Sequence, residues 1–133
     1  MTCKMLFFDY RESEKPFFDK NRTDNFEIKF FTSALNRKTV REIENDDLEQ
    51  TNVLNIYTPS IISDDVISMF PNLRVIASRS NEIKHIDLNA CLKRNIAVVN
   101  VDILPNEGDC KTVQKSLSAV TSVLCGCKEN RIV

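Results

Sequence analysis

Short apolar runs alternate with segments of helical periodicity along most of this chain, and this alternation is the feature that most restricts its fold. Each run has the length of a β-strand, and turns of a few residues separate it from the neighbouring helical segments. Strands that alternate with helices form right-handed βαβ crossovers and a parallel sheet. The five predicted strands are Lys4–Phe8, Phe26–Phe31, Val53–Tyr57, Leu73–Ala77 and Ile96–Val101.

An α/β chain with five such strands predicts a doubly wound, flavodoxin-like parallel sheet. The 133 residues fit one domain with a single core of ordinary size, and we place this domain at residues 1–101. In doubly wound sheets the ligand crevice lies outside the carboxyl ends of the strands. A small-molecule site is therefore expected in the loops at residues 9–11, 57–59, 78–84 and 101–104.

The last part of the chain has a different pattern. Residues 102–111 form a polar linker, and residues 112–127 predict a helix with an apolar stripe made by Val113, Leu117, Val120 and Leu124. This helix either packs on the sheet or offers its stripe to a partner. We predict a protruding C-terminal helix, used in a homodimer or exchanged with a neighbour through Thr112–Leu124.

Composition excludes several classes of function. Only two glycines, Gly108 and Gly126, are present, whereas a dinucleotide fingerprint or a phosphate-binding loop needs two or three within a few residues. No cofactor is therefore expected to bind this chain. A net charge of −1 gives no reason to expect nucleic acid or an anionic membrane as partner. No apolar run approaches the roughly 20 residues that cross a bilayer, and a cytoplasmic location is the default expectation.

The cysteines predict no special chemistry. Their odd number, five, without a signal segment argues against a disulfide framework. Cys125-Gly126-Cys127, with Cys110 as a third thiol, could be read as a metal or redox site. However, the spacing lacks a second pair of ligands, and the single histidine, His85, lies far away in the sequence. We therefore predict no metal site.

Three stretches resemble a known family: KMLFFDYRESEKPFFDK, FEIKFF and LRVIASRSNEIKHIDLNACLKRNIAVVNV. Together they are similar to the N-terminal half of the substrate domain of NAD-dependent D-2-hydroxyacid dehydrogenases, most closely the D-lactate dehydrogenase branch. The most specific part is RSNEIKHIDL at residues 79–88, and KTVQ at residues 111–114 resembles the family's entry into a long helix. The resemblance implies a flavodoxin-like fold, with NAD and the catalytic residues on a second domain inserted after this segment.

The resemblance also implies substrate-binding residues. In the family, backbone N–H groups that correspond to Asn81 and Glu82 bind the carboxylate of a small 2-keto or 2-hydroxy acid. Glu82 stands where the family has glycine, so its bulk and negative charge are expected to oppose a bound carboxylate. His85 and Asp87 correspond to helix-entry positions, and no catalytic residue is predicted. The candidate substrate-binding residues are Tyr57, Thr58, Arg79, Ser80, Asn81 and Glu82.

Two functions remain open from the sequence. The first is the substrate domain of a D-2-hydroxyacid dehydrogenase, inactive alone, from a family whose complete enzymes reduce 2-keto acids with NADH. The second is a non-catalytic binding or dimerisation module descended from that domain. The first function predicts NADH-linked reduction of a 2-keto acid only when the missing domain is supplied. The second predicts a concentration-dependent dimer through Thr112–Leu124 and no binding of a 2-keto acid.

Overall fold

The computed structural model describes residues 3–21, 23, 25–101, 104 and 106–125. A five-stranded sheet lies at its centre, and each pair of neighbouring strands is parallel. All five predicted strands are confirmed, each to within two residues at either end. The strands are β1 Cys3–Phe7, β2 Phe26–Phe30, β3 Thr51–Ile56, β4 Val75–Ser78 and β5 Ala97–Asn100.

The strand order across the sheet is β2-β1-β3-β4-β5. This is the flavodoxin-like order, and it confirms the predicted fold class. The chain winds in one direction from β1 to β2 and in the other from β1 through β3 to β5. The order therefore reverses between β1 and β3, which are hydrogen-bonded neighbours.

Helices cover both faces of the sheet. Two of them follow a 3-10 turn, at Glu12–Glu14 and at Thr39–Glu42. Asp87 caps a third, because its Oδ1 accepts a hydrogen bond from the Ala90 N–H at 3.0 Å. The helices are α1 Lys15–Lys20, α2 Asn45–Gln50, α3 Asp64–Ile67, α4 Leu88–Lys93 and α5 Asp109–Cys125.

The core consists of two apolar clusters, one on each face of the sheet. Successive strand residues point to opposite faces, so Leu6 and Phe8 join one cluster while Met5 and Phe7 join the other. The first cluster includes apolar residues of α2, α3 and α4. The second is built on β1, β3, β4 and β5 and is covered by α1 and α5.

The expectation that the C-terminal helix protrudes is wrong. Val113, Leu117 and Val120 are all buried, and they belong to the second core cluster. The physical reason is that α1 has only six residues and leaves much of this apolar sheet face for another helix to cover. The helix begins at Asp109, before the predicted start at Thr112. A homodimer through Thr112–Leu124 stays a prediction, and it would require α5 to exchange between two chains.

A buried polar contact fixes α5 against the sheet. The side-chain amide of Asn55, at the end of β3, donates to Ser116 Oγ at 3.1 Å, and Ser116 in turn donates to the Val113 carbonyl at 2.8 Å. Both Asn55 and Ser116 are fully buried. A buried polar group is costly unless it is paired, so this contact specifies one position of α5 along the sheet.

Candidate functional site

The carboxyl ends of β1, β3 and β4 lie side by side, and the loops that follow them form the candidate site. The reversal of strand order between β1 and β3 is the point at which doubly wound proteins bind their ligands. The loops there are residues 8–11, 57–60 and 79–84. These are three of the four loops in which the sequence places a small-molecule site. The fourth, residues 101–104, includes positions outside the described residues.

Arg79, a predicted substrate-binding residue, lies in the interior. Its side chain is 0% exposed and pairs with Glu14, also 0% exposed, with 2.8 Å between Nε and Oε2. Nη1 donates to Asn55 Oδ1 at 2.9 Å. Nη2 donates to the carbonyls of Phe8 at 2.9 Å and Asp9 at 3.1 Å. The guanidinium thus connects the ends of β1, β3 and β4 with the turn at Glu12–Glu14.

This environment gives Arg79 a structural role. Burial lowers the pKa of the guanidinium, while the carboxylates of Glu14 and Asp9 act in the opposite direction. The Phe7 ring lies beneath it, 4.0 Å from Cζ to the ring centroid. Four of its five N–H groups donate to protein acceptors, and the side chain has no exposed surface, so it does not present a face to a substrate carboxylate.

Asp9 positions the loop after β3. Its backbone is left-handed, with φ of 57°, a conformation that costs a non-glycine residue about 1–2 kcal/mol. Its buried carboxylate accepts hydrogen bonds from Ser60 Oγ at 2.7 Å and from the Tyr57 N–H at 3.2 Å. Burial raises the pKa of Asp9, and these two hydrogen bonds oppose the rise. Backbone strain of this kind concentrates at functional sites, where neighbouring contacts maintain it.

Ser80, Asn81 and Glu82 form a closed turn after β4. Ser80 Oγ accepts from the Glu82 N–H at 3.1 Å and donates to the Glu82 carbonyl at 2.9 Å. The Asn100 amide donates to the Asn81 carbonyl at 3.3 Å. The Glu82 carboxylate lies 3.6 Å from Lys84 Nζ, and both of these side chains are largely exposed. One of the two backbone donors predicted to hold a carboxylate is therefore already used within the loop.

Tyr57 and Thr58 follow β3 directly and are half-buried. The Arg11 guanidinium lies over the Tyr57 ring, with Cζ 4.5 Å from the ring centroid. Arg11 Nη2 contacts Glu14 Oε2 at 3.4 Å and Asp109 Oδ1 at 3.5 Å. Sequence reasoning places residues 9–11 among the site loops without singling out Arg11. The signal that could have found it is an arginine directly after a strand that ends at the switch point.

His85 connects the loop back to β4. Its Nε2 lies 3.2 Å from Ser78 Oγ, which also lies 3.0 Å from Ser80 Oγ. Its Nδ1 is buried and has no hydrogen-bond partner among the described residues. Burial lowers the pKa of His85, while Glu82 and Asp9 oppose the shift. With the proton of the neutral ring on Nε2, charging the imidazole would add a buried Nδ1–H with no acceptor among the described residues, which acts in the same direction as burial.

We expect the stability of the protein to fall on acidification in a way that depends on His85. The unfolded-state pKa lies near 6.5 and the folded one lies lower, so below pH 6.5 the unfolded state binds the proton more readily. The contribution of neutral His85 is complete above pH 6.5 and is lost as the pH falls through the folded pKa. NMR titration of the single histidine measures the folded pKa directly.

Urea unfolding at about pH 7.5 and about pH 5.5 gives the matching change in stability. His85→Asn is the control, and the drop between the two pH values should be smaller in this variant than in the original protein. The buried Asp9 carboxylate is present in both proteins and cancels in the comparison. A folded-state pKa at or above the unfolded one would contradict the expectation.

The described residues do not form a dinucleotide cradle or a metal site. A Cβ added at Gly108 would have nothing within 4 Å, whereas glycines that cradle phosphate allow close approach of backbone and ligand. Within the described ranges, no group of three His, Cys, Asp or Glu side chains could hold a metal ion. The metal or redox possibility at Cys125-Gly126-Cys127 lies outside the described side chains.

The described cysteines and helices add two further observations. Burial raises the pKa of the Cys91 thiol to about 11, which disfavours the thiolate form that acts as nucleophile or ligand. Cys3 and Cys110 are free and half-buried.

Across the described part of the chain, no helix has both the length and the apolar character that a membrane span requires.

The sequence matches a family model described as D-isomer specific 2-hydroxyacid dehydrogenase, catalytic domain, over residues 5–107. This match covers most of the chain; it begins within β1 and includes β2 to β5 and the three loops of the candidate site. Among curated proteins, no sequence matches this one.

Solved structures share the fold. D-lactate dehydrogenase from Escherichia coli superposes with a TM-score of 0.62 at 22% identity, over 74% of this chain and 30% of that one. D-lactate dehydrogenase from Aquifex aeolicus, solved in complex with NAD and lactic acid, gives 0.64 at 19% identity, over 90% and 33%. A D-lactate dehydrogenase from Treponema pallidum gives 0.63 at 18% identity, over 95% and 37%. The present chain thus spans about a third of the length of these relatives.

Proposed function

This chain belongs to the D-isomer specific 2-hydroxyacid dehydrogenase family, and we propose that it is the substrate-holding domain of such an enzyme. The observation that supports this proposal most directly is that the family match includes all three loops at the carboxyl ends of β1, β3 and β4. The ligand is a small 2-keto acid or the corresponding 2-hydroxy acid. The described residues hold it, and they do not perform the reaction alone.

NAD is proposed as the cofactor of the complete enzyme. In the complete enzyme, the nicotinamide would supply hydride chemistry at the carbonyl carbon of the 2-keto acid. Gly108 is not part of a phosphate cradle, and the described residues are not proposed to bind the nicotinamide nucleotide. The role of the described loops is to bind the acid and fix its orientation, which can supply a large share of a rate enhancement.

Three structural features suit the loops to this role. The Arg79–Glu14 pair and the Asp9 hydrogen bonds hold the strand ends in fixed relative positions. Tyr57 and Thr58 give the crevice an aromatic wall and a hydroxyl at half-buried positions. A preorganised site binds more tightly because less conformational entropy is lost on binding.

Binding of pyruvate tests the proposal. In an NMR titration of the labelled chain, we expect pyruvate to bind with a dissociation constant on the order of 1 mM, typical of a small ligand held by one side of a pocket. Chemical-shift changes should be confined to residues 8–11, 57–60 and 79–84. Shifts absent up to about 50 mM, or located on the outer faces of the helices, would reject the proposal.

A further inference from the structure

Arg11 differs from Arg79 in both exposure and partners. Its side chain is 37% exposed, and it lies in the loop after β1, next to the point at which strand order reverses. Among the described residues, only Nη2 of its guanidinium has partners, the carboxylates of Glu14 and Asp109 at 3.4 and 3.5 Å. Nε is buried and lacks a partner within the same set. The guanidinium therefore keeps hydrogen-bonding capacity at the carboxyl end of β1.

The expected carboxylate donors of the loop after β4 are less suitable. The Glu82 N–H donates to Ser80 Oγ, and the Glu82 side chain carries a negative charge on the same loop. Lys84 is a cation in this region, but its side chain is 82% exposed and its ammonium lies 3.6 Å from Glu82. A flexible and strongly hydrated ammonium gives a less directional contact than a planar guanidinium.

We propose that Arg11, stacked on the Tyr57 ring, receives the carboxylate of the 2-keto or 2-hydroxy acid in this chain. This assignment rests on the proposed function and names the residue that selects acids at that site. The carboxylate accepts hydrogen bonds from the Nη1 and Nη2 edge of the guanidinium, the geometry for which arginine is best suited. The ligand carboxylate displaces Asp109 from Arg11. That ion pair is long and partly exposed, and such ion pairs contribute little to stability.

Tyr57 keeps Arg11 in place for this role. The Tyr57 backbone N–H donates to the carboxylate of Asp9, and the ring lies under the guanidinium. Stacking restricts the long arginine side chain to one orientation before the ligand arrives. A contact made by a restricted side chain loses less entropy on binding. Arg11 and Arg79 also share the Glu14 carboxylate, so Glu14 does not fully neutralise Arg11.

The experiment compares pyruvate with pyruvamide, a neutral ligand of nearly the same shape, on four proteins. These are the original chain, Arg11→Gln, Arg11→Lys and the control Arg37→Gln. Arg37 forms an exposed ion pair with Asp65 at 2.9 Å, and neither residue belongs to the three loops of the candidate site. NMR titration measures both affinities, and circular dichroism confirms the fold of each variant.

We expect the original chain and Arg37→Gln to prefer pyruvate over pyruvamide by about tenfold. Arg11→Gln should lose about tenfold in pyruvate affinity and most of this preference, while its pyruvamide affinity stays unchanged. Arg11→Lys should lie between the two, and it provides the test if Arg11→Gln does not fold.

The remaining outcomes all count against the assignment. If pyruvate binds in the crevice and the Arg11 variants keep the preference for it, the assignment to Arg11 is overturned while the proposed function stands. If the original chain does not bind pyruvate, both are overturned. An equal loss for pyruvate and pyruvamide in the Arg11 variants would show that Arg11 only shapes the loop, and this also overturns the assignment.

Discussion

Replacement of Arg79 with methionine is expected to lower the free energy of unfolding by about 3–5 kcal/mol. The change removes the closer of two cations on the fully buried Glu14 carboxylate, because Arg79 Nε lies 2.8 Å from Oε2 and Arg11 Nη2 lies 3.4 Å from it. It also leaves Asn55 Oδ1 and the carbonyls of Phe8 and Asp9 without this donor. Urea unfolding followed by circular dichroism measures the loss.

Two further variants make this result specific. Arg37→Met removes an exposed ion pair to Asp65 and should change the free energy of unfolding by about 1 kcal/mol or less. The double variant Arg79→Met with Glu14→Leu removes the buried Glu14 carboxylate as well as the guanidinium that pairs with it. It should therefore be more stable than Arg79→Met alone. A loss below about 1 kcal/mol for Arg79→Met would mean that Glu14 reaches solvent or another cation in the folded protein.

The second large effect is expected at α5. Val120→Asp places a charge in the second core cluster, where Val120 is fully buried, and should destabilise the fold by more than about 4 kcal/mol. Ser118→Asp is the matched control, because Ser118 is exposed on the same helix and should cost about 0.5 kcal/mol or less. Urea unfolding measures both values.

The dependence of stability on protein concentration tests the alternative use of this helix, a dimer in which two chains exchange α5. In a dimer with exchanged α5 helices, Val120 packs against the sheet of the other chain, so stability should rise with protein concentration. A helix packed on its own sheet gives a stability independent of concentration. A change of less than about 1 kcal/mol for Val120→Asp would show that α5 does not cover the sheet in either form.

The strands and their order follow from local patterns. Each strand of this parallel sheet is a short apolar run between turns, and the connecting helices require the crossover topology. The location of the site follows with them, because the carboxyl ends of parallel strands meet at one edge. The sequence pattern therefore predicts that residues 57–58 and 79–82 lie at the edge of the sheet where the structure has them.

Local sequence patterns do not show which residues or surfaces will be in contact in the folded protein. The stripe on α5 is visible in the sequence, but its periodicity does not say which apolar surface covers it. The roles of Arg79 and Glu14 depend on a contact between residues 65 positions apart, and an arginine at a strand end looks the same whether it binds a ligand or a buried carboxylate. The stacking of Arg11 on Tyr57 also joins two separate loops, for which the sequence holds no short-range signal.

The position of α5 in the chain also affects how the protein folds. One face of the sheet includes Met5 near the start of the chain and Val120 in the last described helix. During synthesis, the strands leave the ribosome while that face still lacks its main cover. Contacts between distant parts of a chain form slowly, and uncovered apolar sheet surface promotes aggregation in the meantime. The nascent chain therefore depends on α5 to complete folding, and chaperones are expected to bind it most strongly before α5 emerges.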